Sequence, residues 1–162
     1  MAYAQITLEE KQAVLTELKE MKEQLAARGW SPSTSGDLSA RVGGYTPDEF
    51  YFAINSSGKD KTVHTPQDFL FVDAIGEACE MTSLKPSAET LIHAKIYRMT
   101  GCSAIFHVHT VFNNLISDYY GDHGFIPAQS NEMIKQLGIW EENVNIAIPV
   151  LPNNIDIPSI AR

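Results

Sequence analysis

Long apolar runs are missing from this sequence: none of its segments approaches the roughly 18 apolar residues that a membrane-spanning helix needs. Cysteine is scarce. Cys79 and Cys102 are the only two, there is no CxxC pair, and a chain of 162 residues with two cysteines does not build a disulfide framework. Both thiols are therefore expected to be reduced and structural. A surplus of positive charge is also lacking, since 12 Lys and Arg face 20 Asp and Glu for a net charge of −8. That balance opposes binding to nucleic acid, which requires cations against phosphate. It does not oppose a small anion, because a nest of backbone N–H groups holds one even on an acidic protein. No internal repeat or low-complexity tract occurs, and the opening MAYAQITLEEKQ lacks the basic stretch and apolar segment of a secretory signal. The expectation is one domain over 1–162, cytoplasmic, with neither membrane nor nucleic-acid partners.

What is present is a mixture of helical and strand patterns. Thr7 with Glu10 matches a capping box, and Val14, Leu15, Leu18, Met21 and Leu25 recur at helical spacing up to a stop at Arg28 and Gly29. A Ser- and Gly-rich segment, SPSTSGDLSAR (31–41), ends in a short strand-like piece. FYFAIN (50–55) and DFLFVD (68–73) have strand composition, with the turn NSSGKDK (55–61) after the first. Pro86 and Ser87 open a second predicted helix over 87–99, whose apolar face is read as Ala88, Leu91, Ile92 and Ile96. SAIFHVHT (103–110) reads as a buried strand. Helices near 111–119 and 131–138 and a strand at 144–150 follow. Helices and strands mix without strict alternation, so the predicted fold is α+β: three layers (αβα) around a central, mostly antiparallel sheet flanked by helices.

His107 and His109 are the first candidates for chemistry. Side chains at i and i+2 of a strand share a face, so two imidazoles stand side by side, and imidazole is the commonest zinc ligand. One core and one surface histidine would also satisfy the pattern. The segment PSAETLIH (86–93) offers a helix start where Ser87 caps the first turn and meets an anion, with Glu89 near the positive end of the dipole. Glu89 is equally an ordinary first-turn carboxylate, and His93, on its face one turn on, reads as a core or supporting histidine. Two Ser/Gly turns, TSGD (34–37) and SSGK (56–59), could each form an anion nest, with Lys59 adding a point charge, or be plain loops. Glu132 opens a predicted helix and is otherwise a solvated carboxylate. His64 and His123 read as surface residues.

Taken in order, GWSPSTSGDLSAR, INSSGKDK, KPSAETLIH and FHVHT resemble the phosphate loops and paired metal-ligand strand of the class II aldolase family of zinc-dependent sugar-phosphate lyases. The resemblance runs over nearly the whole chain, and VFNNLISDYYGD and NEMIKQLGIWEEN place it nearest the family's dehydratases. It implies one zinc ion per subunit held in part by His107 and His109, and a phosphate surrounded by Gly36, Ser57, Gly58 and Ser87. It implies an acid/base role for Glu132, a catalytic or substrate-touching role for Glu89, a phosphorylated ketose as substrate, and a homo-tetramer. A sugar-phosphate aldolase or epimerase, or a non-catalytic adducin-like binding domain, are the alternatives within that resemblance. Two departures stand out. Asp37 occupies a position where the family carries Asn, and a carboxylate beside a phosphate is repulsive unless protonated or turned away. The family's third zinc histidine has no counterpart before Arg162, which leads us to expect a further C-terminal segment.

Overall fold

The computed structural model describes residues 2–129, 132–141 and 144–152, with the side chains at 129, 132, 133 and 136 excepted. Two compact units are present: one of residues up to Thr110, and a second that begins at Val111.

The first unit opens with helix α1, Leu8–Ala27. Both halves of the capping box form: Glu10 N–H donates to Thr7 Oγ1 at 3.1 Å, and Thr7 N–H donates to Glu10 Oε2 at 2.8 Å. These satisfy two of the N–H groups that a helix start leaves without partners. Four strands form an antiparallel sheet: β1 (Asp37–Val42), β2 (Tyr51–Asn55), β3 (Phe69–Asp73) and β4 (Ala104–His107), in the order β3-β2-β1-β4. Helix α2 (Thr90–Thr100) lies between β3 and β4 in sequence.

The alternation of side chains along the strands builds two cores. Leu38, Ala40 and Val42 of β1, Ala53 of β2 and Phe71 of β3 pack with Leu18 and Leu25 of α1. Phe52 and Ile54 of β2 and Leu70 and Val72 of β3 pack on the opposite face with Ala94 and Tyr97 of α2. Helix, sheet and helix are thus the three layers expected. Strand register then decides the site. β1 pairs with β4 so that Asp37 stands opposite His107 and Ser39 opposite Ile105. Cross-strand partners share a face, so Asp37 and His107 point toward the α2 layer.

Three expectations need correction. The strand read as buried is β4, which among the described residues pairs only with β1 and alternates exposed with half-buried positions; Phe106 is 42% exposed. Three apolar letters there, Ala104, Ile105 and Phe106, did not require burial on both faces. Helix α2 starts at Thr90 rather than 87, because Thr90 N–H bonds Ser87 C=O in a turn and Glu89 (φ −87, ψ 4) takes the N-cap place without a side-chain cap. The buried face of α2 is Thr90, His93, Ala94 and Tyr97, whereas Leu91 is 38% exposed and Ala88 is exposed. Polar groups with partners won the inner face here.

In the second unit, α3 (Val111–Tyr120) is followed by a two-stranded antiparallel sheet of β5 (Phe125–Gln129) and β6 (Asn145–Pro149). The helix expected near 131–138 is a 3-10 segment, Glu132–Leu137. Among the described residues no helix is long and apolar enough to cross a membrane. Both cysteines are free thiols.

Candidate active site

Three segments converge at the end of β1 nearest α2. The first is the turn 31–37. Gly36 holds φ +79, and a Cβ there would meet the His107 carbonyl oxygen at 2.7 Å, so only glycine lets this turn lie against β4. Ser33 is in the same left-handed region (φ 56) and its carbonyl accepts from Lys61 N–H at 2.6 Å. The second segment is the turn 55–61, where Gly58 has φ +72. Asn55 Oδ1 accepts from Leu38 N–H at 2.6 Å, tying this turn to β1. The third is 85–87: Ser57 N–H donates to Lys85 C=O and Ser87 N–H to Asn55 C=O. Backbone bonds therefore fix the two Ser/Gly turns and the approach to α2 as one frame.

The chemistry-bearing side chains sit on that frame. His107 Nδ1 and Glu89 Oε2 are 2.5 Å apart, a charge-assisted bond. The His107 and His109 rings have centroids 4.7 Å apart. The strand ends at His107, and His109 is held by its own N–H donating to Trp30 C=O at 2.8 Å. The pairing of the two imidazoles thus comes from a loop contact, where strand alternation alone was expected to supply it. Asp37 joins them: its Oδ2 accepts from Ser87 Oγ at 2.7 Å, and its Oδ1 is 3.8 Å from Lys61 Nζ. Asp37, Glu89 and His107 each offer a ligand atom, all within 4.8 Å of one another. Carboxylate and imidazole donors together are a set that zinc accepts. The His107 Nδ1 bond to Glu89 leaves Nε2 as the nitrogen free for a metal, the arrangement in which a carboxylate orients a ligating histidine.

Electrostatics distinguish the members. Burial pushes the Asp37 carboxyl up to about 6, against the pull of Ser87 and Lys61. The bond from His107 holds Glu89 below the ordinary carboxylate value, and the same bond raises His107. Desolvation lowers His109, as a neutral ligand requires. Beneath them, His93 is 1% exposed and hydrogen-bonded through Nδ1 to Ser39 Oγ at 2.7 Å, which also contacts Tyr97 Oη at 2.7 Å. Burial lowers His93 to about 4, so it stands neutral as a supporting residue.

Of the residues expected at a site, Gly36, Ser87, Glu89, His107 and His109 come together, with Ser57 and Gly58 on the adjoining turn. Ser87 caps no helix; it bridges Asp37 and Glu89 N–H instead. Lys59 turns outward, its Nζ on Gln67 Oε1 at 3.0 Å. Glu132 begins the 3-10 segment of the second unit, and its side chain lies outside the described residues. His123 is exposed, and His64 is bonded to Asp68 at 2.9 Å away from this cluster. Asp37 and Lys61 were not anticipated as partners. The Asn-to-Asp departure was the only signal for the first, and burial of a lysine two residues past a turn leaves none for the second. The Asp37 carboxylate is not turned away, since Ser87 and Lys61 hold it toward the cluster.

Residues 16–160 match the family model of the class II aldolase and adducin N-terminal domain. A methylthioribulose-1-phosphate dehydratase of Geobacillus kaustophilus is 51% identical over 146 residues, covering 90% of this chain and 68% of that protein. The protein of the same name from Bacillus subtilis is 47% identical over 152 residues, 93% of this chain and 71% of its own length. Among solved structures, an L-fuculose-1-phosphate aldolase from Thermus thermophilus superposes with a TM-score of 0.62 at 26% identity. That likeness covers 91% of this chain and 68% of the aldolase.

Proposed function

We propose that this chain, which belongs to the class II aldolase and adducin N-terminal domain family, dehydrates 5-methylthioribulose 1-phosphate to 2,3-diketo-5-methylthiopentyl 1-phosphate in methionine salvage. The observation that carries this reading is the packing of Asp37, Glu89, His107 and His109 against two Ser/Gly turns. The half-identical dehydratases specify the substrate. His107 and His109 would supply two of the ligands of a zinc ion, whose chemistry there is Lewis-acid polarisation of the substrate ketone.

The remaining work belongs to the chain. Backbone N–H groups at Gly36 and Gly58, with the hydroxyls of Ser57 and Ser87, would bind the phosphate and fix the sugar's distance from the imidazoles. Water loss requires a base to take the C3 proton and an acid to protonate the departing C4 hydroxyl; the enol so formed tautomerises to the diketone. Glu89, kept ionised by His107, suits the base role at neutral pH. Glu132 is proposed as the second proton carrier on the strength of the resemblance. We extend the proposal to a cytoplasmic homo-tetramer, for which light scattering is the check.

Incubating the purified protein with methylthioribulose 1-phosphate and following the diketone tests the reading directly. Cleavage of a ketose phosphate without any diketone would favour an aldolase instead. That second reading is supported by the fold likeness to the fuculose-phosphate enzyme and by the Glu89–His107 bond.

A further inference from the structure

Lys61 is a buried cation with unfilled bonding capacity. Its side chain is 2% exposed, yet its ammonium has one long bond, to Lys59 C=O at 3.5 Å, and stands 3.8 Å from Asp37 Oδ1. An ammonium carries three donors and no acceptor, and buried donors are normally satisfied. Lys22, the other buried lysine, shows what satisfaction looks like, with Val63 C=O at 2.6 Å and Asp68 Oδ2 at 2.5 Å. Among the described residues, three buried side-chain atoms have no hydrogen-bond partner: Ser31 Oγ, Asn55 Nδ2 and Ser56 Oγ. All three lie on the two turns that Lys61 joins through its own N–H to Ser33 C=O. Lys61 thus stands on a frame of turns locked together by backbone bonds, with donors to spare beside the Asp37 carboxylate.

Asp37 makes that frame a problem. A carboxylate beside the turns repels a phosphate dianion, and its neighbour Glu89 adds a second negative charge. Lys61 is the cation against Asp37. We propose that Lys61, rather than Lys59, is a specificity-determining residue of this site: it neutralises Asp37 and donates to the phosphate of the substrate. The inference rests on the reading of a phosphorylated ketose as substrate. It explains how this chain carries Asp where an uncharged amide would be easier, since the Asp–Lys pair presents no net charge to the ligand. Lys59, bonded to Gln67 on the outside, does not face Asp37.

The test is binding of inorganic phosphate to the full chain, measured by calorimetry, which requires no turnover. Lys61→Met is expected to weaken phosphate binding about tenfold, the value of a charge-assisted hydrogen bond. Lys61→Arg, which keeps the charge, should stay within roughly threefold of the parent. Asp37→Asn in the Lys61→Met background should recover most of the loss, and Asp37→Asn alone should tighten binding. Thermal unfolding of each variant separates a binding effect from a folding one. If Lys61→Met does not fold, tighter phosphate binding by Asp37→Asn still supports the pair, and unchanged binding overturns it. Folded Lys61→Met with parental phosphate affinity overturns the proposal, as does a loss seen in Lys59→Met and not in Lys61→Met. Lys61-dependent phosphate binding without turnover of methylthioribulose 1-phosphate would sink the dehydratase reading and leave this inference standing.

Discussion

Replacing Lys22 with Met isolates one buried charge while keeping most of the side chain's volume. Lys22 is 2% exposed in the middle of α1, and its ammonium bonds Asp68 Oδ2 at 2.5 Å and Val63 C=O at 2.6 Å. Asp68 is 1% exposed. Removing one member of a buried ion pair typically costs about 3–5 kcal/mol, because the other charge remains without compensation. The lower end applies here. Asp68 keeps Thr65 N–H at 3.0 Å, Thr65 Oγ1 at 2.8 Å and His64 Nδ1 at 2.9 Å, so its oxygens are not stripped bare. About 3 kcal/mol is a large fraction of the roughly 5–15 kcal/mol that holds a domain together. Urea unfolding at pH 7.5 should therefore show a clear fall in midpoint with little change in slope. Asp68→Asn in the same background should return part of the loss, since the stranded charge is then gone. The Asp68 carboxyl is held below its ordinary value in the parent, chiefly by Lys22 and Thr65 acting against burial. A depressed carboxyl contributes stability above its unfolded value, and that contribution is lost as pH falls through the folded one. The gap between parent and Lys22→Met should accordingly narrow in acid. A variant within 1 kcal/mol of the parent at pH 7.5 would refute the view that this pair pins α1 to the turn before β3.

Gly36→Ala places a methyl 2.7 Å from the His107 carbonyl oxygen in a left-handed conformation, and should cost about 1–3 kcal/mol in thermal unfolding while weakening phosphate binding. Glu89→Gln should lower kcat by roughly 10²- to 10⁴-fold with a smaller effect on KM, as loss of a general base does; an unchanged kcat would move that role elsewhere. In the metal-free protein Glu89 raises His107, so its contribution to stability is complete below about pH 6.5 and is lost as pH rises through the raised value. Glu89→Gln should flatten that dependence in pH-resolved unfolding curves. Chelation should abolish turnover and added zinc should restore it, and His107→Ala and His109→Ala should each reduce zinc per subunit by mass spectrometry of the native protein.

The local physics of the elements was readable along the chain. The Thr7–Glu10 capping box, the β-rich runs at 51–55 and 69–73, and the two-faced alternation that builds a helix on each side of a sheet need only neighbours in sequence. The Ser/Gly turns and the HxH pair could also be picked out, because their chemistry is written in adjacent residues. What followed from tertiary contact could not. The inner face of α2 went to Thr90, His93 and Tyr97 because Ser39 across the layer offers His93 and Tyr97 hydrogen bonds, something helical periodicity of apolar letters does not encode. The exposure of β4 depended on its pairing with β1 alone among the described residues. The β1–β4 register set Asp37 opposite His107, and the fold brought Glu89 to His107 Nδ1 across 18 positions of sequence. Whether Lys59 or Lys61 faces that cluster was decided by which way the chain turns after Gly58, and a charged side chain carries no mark of its direction until the surrounding walls exist.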